Sequence, residues 1–160
     1  MIPHNTKNSV EKVNKFKEND EDRFSQLCDL ENGLIDEVIV AMKNNDAAAL
    51  GLKMSENQKY LEEIQVSNET LRNMINSIMT TYVRSYGVNS DGGRSRPLTA
   101  PPQDEAMYAG AKITGAGDGG CIIALVKDED MDKVPALLGK DKECFSAKLD
   151  TKGVVWEKEK

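Results

Sequence analysis

The chain has 160 residues, 39% of them hydrophobic and 30% charged, with a formal net charge of -6 and a pI near 4.9. That is about one domain's length, enough to bury a core, and its acidity argues against a nucleic-acid partner, because neutralising phosphates needs a basic face. No apolar run approaches the roughly 18 residues of a membrane span, and the opening MIPHNTKNSV has no basic segment followed by an apolar one, so the expectation is a cytoplasmic protein without leader or membrane contact.

The first half reads as helices. Val10, Val13 and Phe16 recur at helical spacing after a cap at Thr6. Phe24, Leu27, Leu30, Leu34, Val38, Ala41 and Met42 then form one stripe interrupted only by Gly33. Asn45 and Asp46 stop that helix and start a third, in which Leu50, Met54, Leu61 and Ile64 are expected inward. Ser67 or Asn68 caps a fourth, carrying Leu71, Met74, Ile75, Ile78 and Tyr82.

Residues 85–106 lose all periodicity and are rich in Gly, Ser, Pro and Asp, the texture of a long loop or an insertion. Arg84, Arg94 and Arg96 give this segment local positive charge suited to phosphate capture, although a solvated loop is the simpler reading. Next come a strand over Ala109–Thr114, a second over Cys121–Val126, a short helix in DEDMDKVPALLG ended by Gly139, and two strands in CFSAKLDTKGVVWEK. Helices first and short strands after predict an α+β domain, with helices packed on a small antiparallel sheet.

Cys28, Cys121 and Cys144 are widely spaced and form no C-x-x-C, so neither a disulfide framework nor a zinc site is expected. His4 is the single histidine, which removes most His-dependent triads and His-rich metal sites. No residue stands out as a catalytic nucleophile, and Cys121 reads as a small buried hydrophobe.

Between the two predicted strands lie four of the chain's 12 glycines within six residues, in Gly115-Ala116-Gly117-Asp118-Gly119-Gly120. The spacing satisfies G-x-G-x-x-G, but a dinucleotide fingerprint needs a helix leaving the loop, and here a strand leaves. A Walker A loop needs Lys-Ser/Thr where Cys121 stands, and the chain has neither the H-R-D nor the D-F-G of protein kinases. What is left is a loop whose unshielded N–H groups converge on an anion, or a tight β connection with no ligand. Asp118 opposes a simple anion nest, since its carboxylate repels phosphate unless it faces away or a cation intervenes.

The stretch GAKITGAGDGGCIIAL, Gly110–Leu125, resembles the third signature motif of the GHMP small-molecule kinases, most closely that of the mevalonate kinases. NTKNSVEKV, Asn5–Val13, resembles the Asn-Thr-Lys/Arg stretch opening their C-terminal half, and Met54–Ser77 resembles their M-x-x-N-Q/H helix, turn and helix. The resemblance implies a GHMP kinase C-terminal-type domain using ATP and Mg2+ to phosphorylate the 5-hydroxyl of mevalonate in isoprenoid precursor synthesis. Carried onto this chain, it puts Thr114, Gly115, Ala116, Gly117, Asp118, Gly119 and Gly120 beside the phosphates and substrate, with Asn5, Thr6 and Lys7 as further cleft residues.

Asp118 stands where the family usually has glycine. The family's Pro-x-x-x-Gly-Leu-Gly-Ser-Ser-Ala loop, catalytic aspartate and lysine belong to an N-terminal domain with no counterpart in this sequence. The expectation is therefore the C-terminal half of a kinase, a fragment or split subunit inactive alone, with an N-terminal half or a second copy as partner. The competing expectation is a non-catalytic ligand-binding or interaction domain.

Overall fold

In the computed structural model of the chain, residues 6–85, 110–139 and 141–147 are described. Four helices come first: α1 (Thr6–Asn19), α2 (Glu21–Lys43), α3 (Ala47–Glu63) and α4 (Glu69–Ser85). α1 runs into α2 almost without a break. The Asp20 N–H donates to the Phe16 carbonyl and the Asp20 carbonyl accepts from the Phe24 N–H, both at 3.0 Å, while the Asp20 carboxylate caps α2 by accepting from the Arg23 N–H. The Lys17 ammonium, 5.8 Å from the Phe24 ring centroid, spans the same junction.

α2 stops at Lys43, Asn45 turns the chain with φ +53°, and the Asp46 carboxylate restarts it by accepting from the Ala49 N–H at 2.9 Å. α3 then runs back along α2. Arg23 at the start of α2 meets Glu63 at the end of α3, Glu31 accepts from Asn57, and Glu37 pairs with Lys53. Of the two expected caps for α4, Asn68 is the one that acts, accepting from the Leu71 N–H at 2.9 Å.

Strands β1 (Gly110–Ile113) and β2 (Ile122–Leu125) pair antiparallel, with Gly110 opposite Leu125 and Ile113 opposite Ile122. β1 lies along α3 in the same chain direction. At its start, Gly110 approaches the helix so closely that a Cβ there would sit 2.3 Å from the Gly51 carbonyl oxygen; at its end, the Ile113 N–H donates to Gln58 Oε1 at 2.9 Å. Buried Leu71, Ile75, Ala111 and Ile113 form the core between α4 and β1. A smaller cluster around Ile78 joins α4 to β2 and to the segment after it. The architecture is mostly helical with one small antiparallel sheet, consistent with the expected α+β class.

Several inward assignments change. On α1 the inward line is Ser9, Val13 and Phe16, with Ser9 buried and the other two half-buried, while Val10 falls off that line and is 52% exposed. On α2, Leu27, Leu34 and Ala41 are buried at seven-residue spacing, whereas Leu30 and Met42 fall outside that narrow seam and are exposed. On α3 the buried positions are Gly51, Asn57 and Gln58, with Leu50, Met54, Leu61 and Ile64 half-buried, since β1 presses on the glycine and bonds to the glutamine.

The segment DEDMDKVPALL divides into a 3₁₀ turn (Asp128–Lys133) and α5 (Val134–Leu138). Pro135 falls in the first turn of α5, where no N–H is needed. Residues 144–147 are exposed and carry no strand, so the first expected C-terminal strand does not begin there; the rest of that pair lies outside the described residues. Outside them also lie the expected long loop beyond Ser85, with Arg94 and Arg96, and Asn5; the side chains of Tyr82 and Arg84 are likewise not described.

Candidate functional site

The turn between α3 and α4 and the connection from β1 to β2 meet at one end of the molecule. The Val66 N–H closes the end of α3 by donating to the Leu61 carbonyl, and Gln65 takes φ +64° to turn the chain. The Asn68 N–H then donates to the Gly117 carbonyl at 3.2 Å, so the residue that caps α4 also holds the glycine loop. Gln58 ties the arrangement together from below: its amide oxygen accepts from Ile113, and its amide nitrogen donates to Ser67 Oγ at 3.2 Å and Glu62 Oε1 at 2.7 Å.

Within the loop, Thr114 continues the hairpin by donating its N–H to the Cys121 carbonyl at 3.0 Å. Gly115, Gly117, Gly119 and Gly120 then all have positive φ, at 74°, 73°, 148° and 96°. Gly117 is the position where only glycine fits: a Cβ there would fall 1.3 Å from the Val66 carbonyl oxygen. Positive φ at 115 and 117 on either side of ordinary Ala116 is the alternation from which backbone anion nests are built.

The N–H groups from Gly115 to Gly120 donate to no group among the described residues. Gly117 and Gly119 are nevertheless buried. Buried backbone donors are nearly always paired. Here unpaired donors lie against the N-terminal end of α4, where helix N–H groups and the macrodipole also favour negative charge.

Asp118 is the one carboxylate in the loop, and it faces α1. Its Oδ1 lies 3.9 Å from Lys12 Nζ, with the two side chains 25% and 45% exposed. α1 reaches this point because α2 runs antiparallel to α3 and α1 prolongs α2 past the end of α3. Asn8 and Ser9 share the Lys12 face of the helix, four and three residues earlier. Ser9 is 3% exposed, and its hydroxyl has no hydrogen-bond partner among the described residues.

Thr6 is the first residue of α1 and is exposed. Lys7 is exposed, 3.9 Å from Glu11, and lies about 140° around the helix from Lys12. The structure thus brings residues 114–120 together with Lys12 and Asn68, and leaves Lys7 on another face. Lys12 and Asn68 went unread as site residues in the sequence, since each meets the loop only through the fold. Cys121, expected to be buried, is exposed at the mouth of the loop because β2 starts only at Ile122.

Among the described residues no group of three or more His, Cys, Asp or Glu is placed to hold a metal ion, and no helix is long and apolar enough to cross a membrane. No curated protein and no solved structure matches the chain significantly. The family model described as GHMP kinases C terminal matches residues 103–136, well under half of the chain. That stretch contains β1, the glycine loop, β2 and the 3₁₀ turn, and the match supports a GHMP-family C-terminal type of domain around this site.

Proposed function

We propose that this chain supplies the C-terminal half of an ATP-dependent small-molecule kinase of the GHMP type, transferring the γ-phosphoryl group of ATP to the 5-hydroxyl of mevalonate or a close relative. The observation that carries this reading is the set of unpaired loop N–H groups from Gly115 to Gly120, held open by four positive-φ glycines beside the start of α4. Phosphoryl transfer asks a protein chiefly for positioning and for stabilisation of charge on the phosphoryl oxygens. Backbone donors in this loop, buried at Gly117 and Gly119, supply both without any proton transfer by a side chain.

The loop fits the phosphates of the nucleotide and not its metal. Its single carboxylate, Asp118, is engaged with Lys12, and no acidic cluster stands near it among the described residues. Gly115, Gly117, Gly119 and Gly120 offer N–H groups to phosphoryl oxygens, Asn68 keeps the loop against α4, and Gln58 keeps the end of β1 in register. Mg2+, when bound, neutralises phosphate charge, with ligands other than this loop.

The partner in this reading is the N-terminal kinase half or a second copy of the chain, and the location is cytoplasmic. The deciding experiment measures ADP release from Mg-ATP and mevalonate, with the chain alone and with a matching N-terminal half. Turnover only in the mixture supports the split kinase. Absence of turnover from two halves that bind one another sinks it in favour of a non-catalytic ligand-binding module.

A further inference from the structure

Lys12 is the cation nearest the glycine loop on α1, and its charge partner, Asp118, sits among the unpaired N–H groups. At 3.9 Å with both groups partly solvated, this pair is loose, and such pairs contribute little to stability. A carboxylate in the middle of an anion nest opposes the nest's own field. Its attachment to a lysine on another helix gives that charge a local counterpart. One helical turn before Lys12 stands Ser9, buried and with its hydroxyl unpaired among the described residues.

Resting on the phosphate-loop reading above, we infer that Lys12 is a ligand-binding residue of this site: it exchanges the Asp118 carboxylate for a phosphoryl oxygen of the bound ligand, with the Ser9 hydroxyl as a second donor. The exchange makes Asp118 a restraint on anion entry. Without phosphate, Lys12 neutralises it; with phosphate, Lys12 makes the stronger charge-assisted bond to the more highly charged group. α1 thereby becomes a wall of the site through Lys12 and Ser9, a face of the helix that Lys7 does not share.

The test uses the full chain at low ionic strength and follows the backbone amide resonances of residues 115–120 while pyrophosphate is added. Wild type is expected to show saturable shifts in those amides. Lys12→Gln, which keeps most of the side-chain length and removes the charge, should weaken binding roughly tenfold. Asp118→Asn should tighten it, and Lys12→Gln should cost more in the Asp118→Asn background than in wild type, the coupling that an exchange requires. Ser9→Ala should weaken binding less than Lys12→Gln does. Amide shifts elsewhere in the spectrum report whether each variant is folded.

Loop amides that still respond while Lys12→Gln binds as tightly as wild type would overturn the role of Lys12 and leave the phosphate loop standing. An equal cost of Lys12→Gln in both backgrounds overturns the exchange. Loop amides that do not respond in wild type overturn the phosphate loop itself and this inference with it. Parallel titrations with ADP and with mevalonate 5-phosphate assign the source of the phosphoryl group: it is the ligand whose affinity falls in Lys12→Gln, and a fall for neither counts against the proposal.

Discussion

At the scale of single residues, glycines play opposite parts in the loop and in α2. Gly117 combines φ +73° with a Cβ position that overlaps the Val66 carbonyl. Alanine there faces a left-handed penalty of about 1–2 kcal/mol and forces the loop away from the 65–68 turn, so Gly117→Ala should cost roughly 2–4 kcal/mol in urea denaturation. The same variant should also lose pyrophosphate binding. Gly33 is in the middle of α2, exposed, with ordinary φ and nothing within 4 Å of a built Cβ. Gly33→Ala should therefore raise stability by about 0.5–1 kcal/mol. A loss of stability there would mean that α2 is not continuous through residue 33. The glycine cluster was legible in the sequence because four glycines in six residues have few local explanations. Its unshielded N–H groups were legible too, but what holds the loop in place was not, since that depends on where Asn68 and Val66 arrive from 50 residues away.

Between elements, polar contacts set the register. Arg23 with Glu63, Glu31 with Asn57 and Glu37 with Lys53 mark the antiparallel run of α2 against α3, and Gln58 fixes α3 to β1 and to the α4 turn. Hydrogen bonding to Arg23 lowers the Glu63 carboxyl below its ordinary value, and hydrogen bonds first from Tyr60 and then from Lys53 lower Glu56. A carboxyl lowered by folding adds stability above its unfolded value, near pH 4.3, and loses it as pH falls through the folded value. The urea midpoint is therefore expected to hold from pH 7 to about 5 and fall below about 4.5, with a shallower fall in Glu56→Gln. An unchanged slope in that variant would remove Glu56 from the account. Helix starts at Asp46 and Asn68 could be read from the chain, because a short polar side chain before an apolar period is a local signal. The buried face of α3 could not, because Gly51, Asn57 and Gln58 are inward only on account of β1 and α2, which no window of sequence contains.

For the whole molecule, the outward side of α2 bears on whether the chain is complete in itself. Ile35, Ile39 and Met42 are four and seven residues apart, which aligns them on one face, and they are 48%, 43% and 55% exposed. They flank the buried seam of Leu27, Leu34 and Ala41, so α2 offers apolar surface on two sides while α3 covers one. Isolated exposed apolar residues need no explanation, but a stripe at helical spacing is the pattern by which helices find partners. In the absence of an N-terminal half, the chain is expected to pair with itself through this stripe, giving a concentration-dependent rise in sedimentation coefficient at tens of micromolar. Ile39→Asp should abolish that rise by placing a charge in an apolar contact, while its thermal midpoint stays close to wild type because the side chain faces away from the core. If wild type sediments as a monomer throughout, the stripe is not a self-association face. If Ile39→Asp instead lowers the midpoint by several degrees, residue 39 belongs to the fold and not to an interface. Addition of an N-terminal half separates the remaining possibilities: displacement of the self-associated form places the two partners on the same face of α2, and its persistence in a ternary assembly places them on different faces.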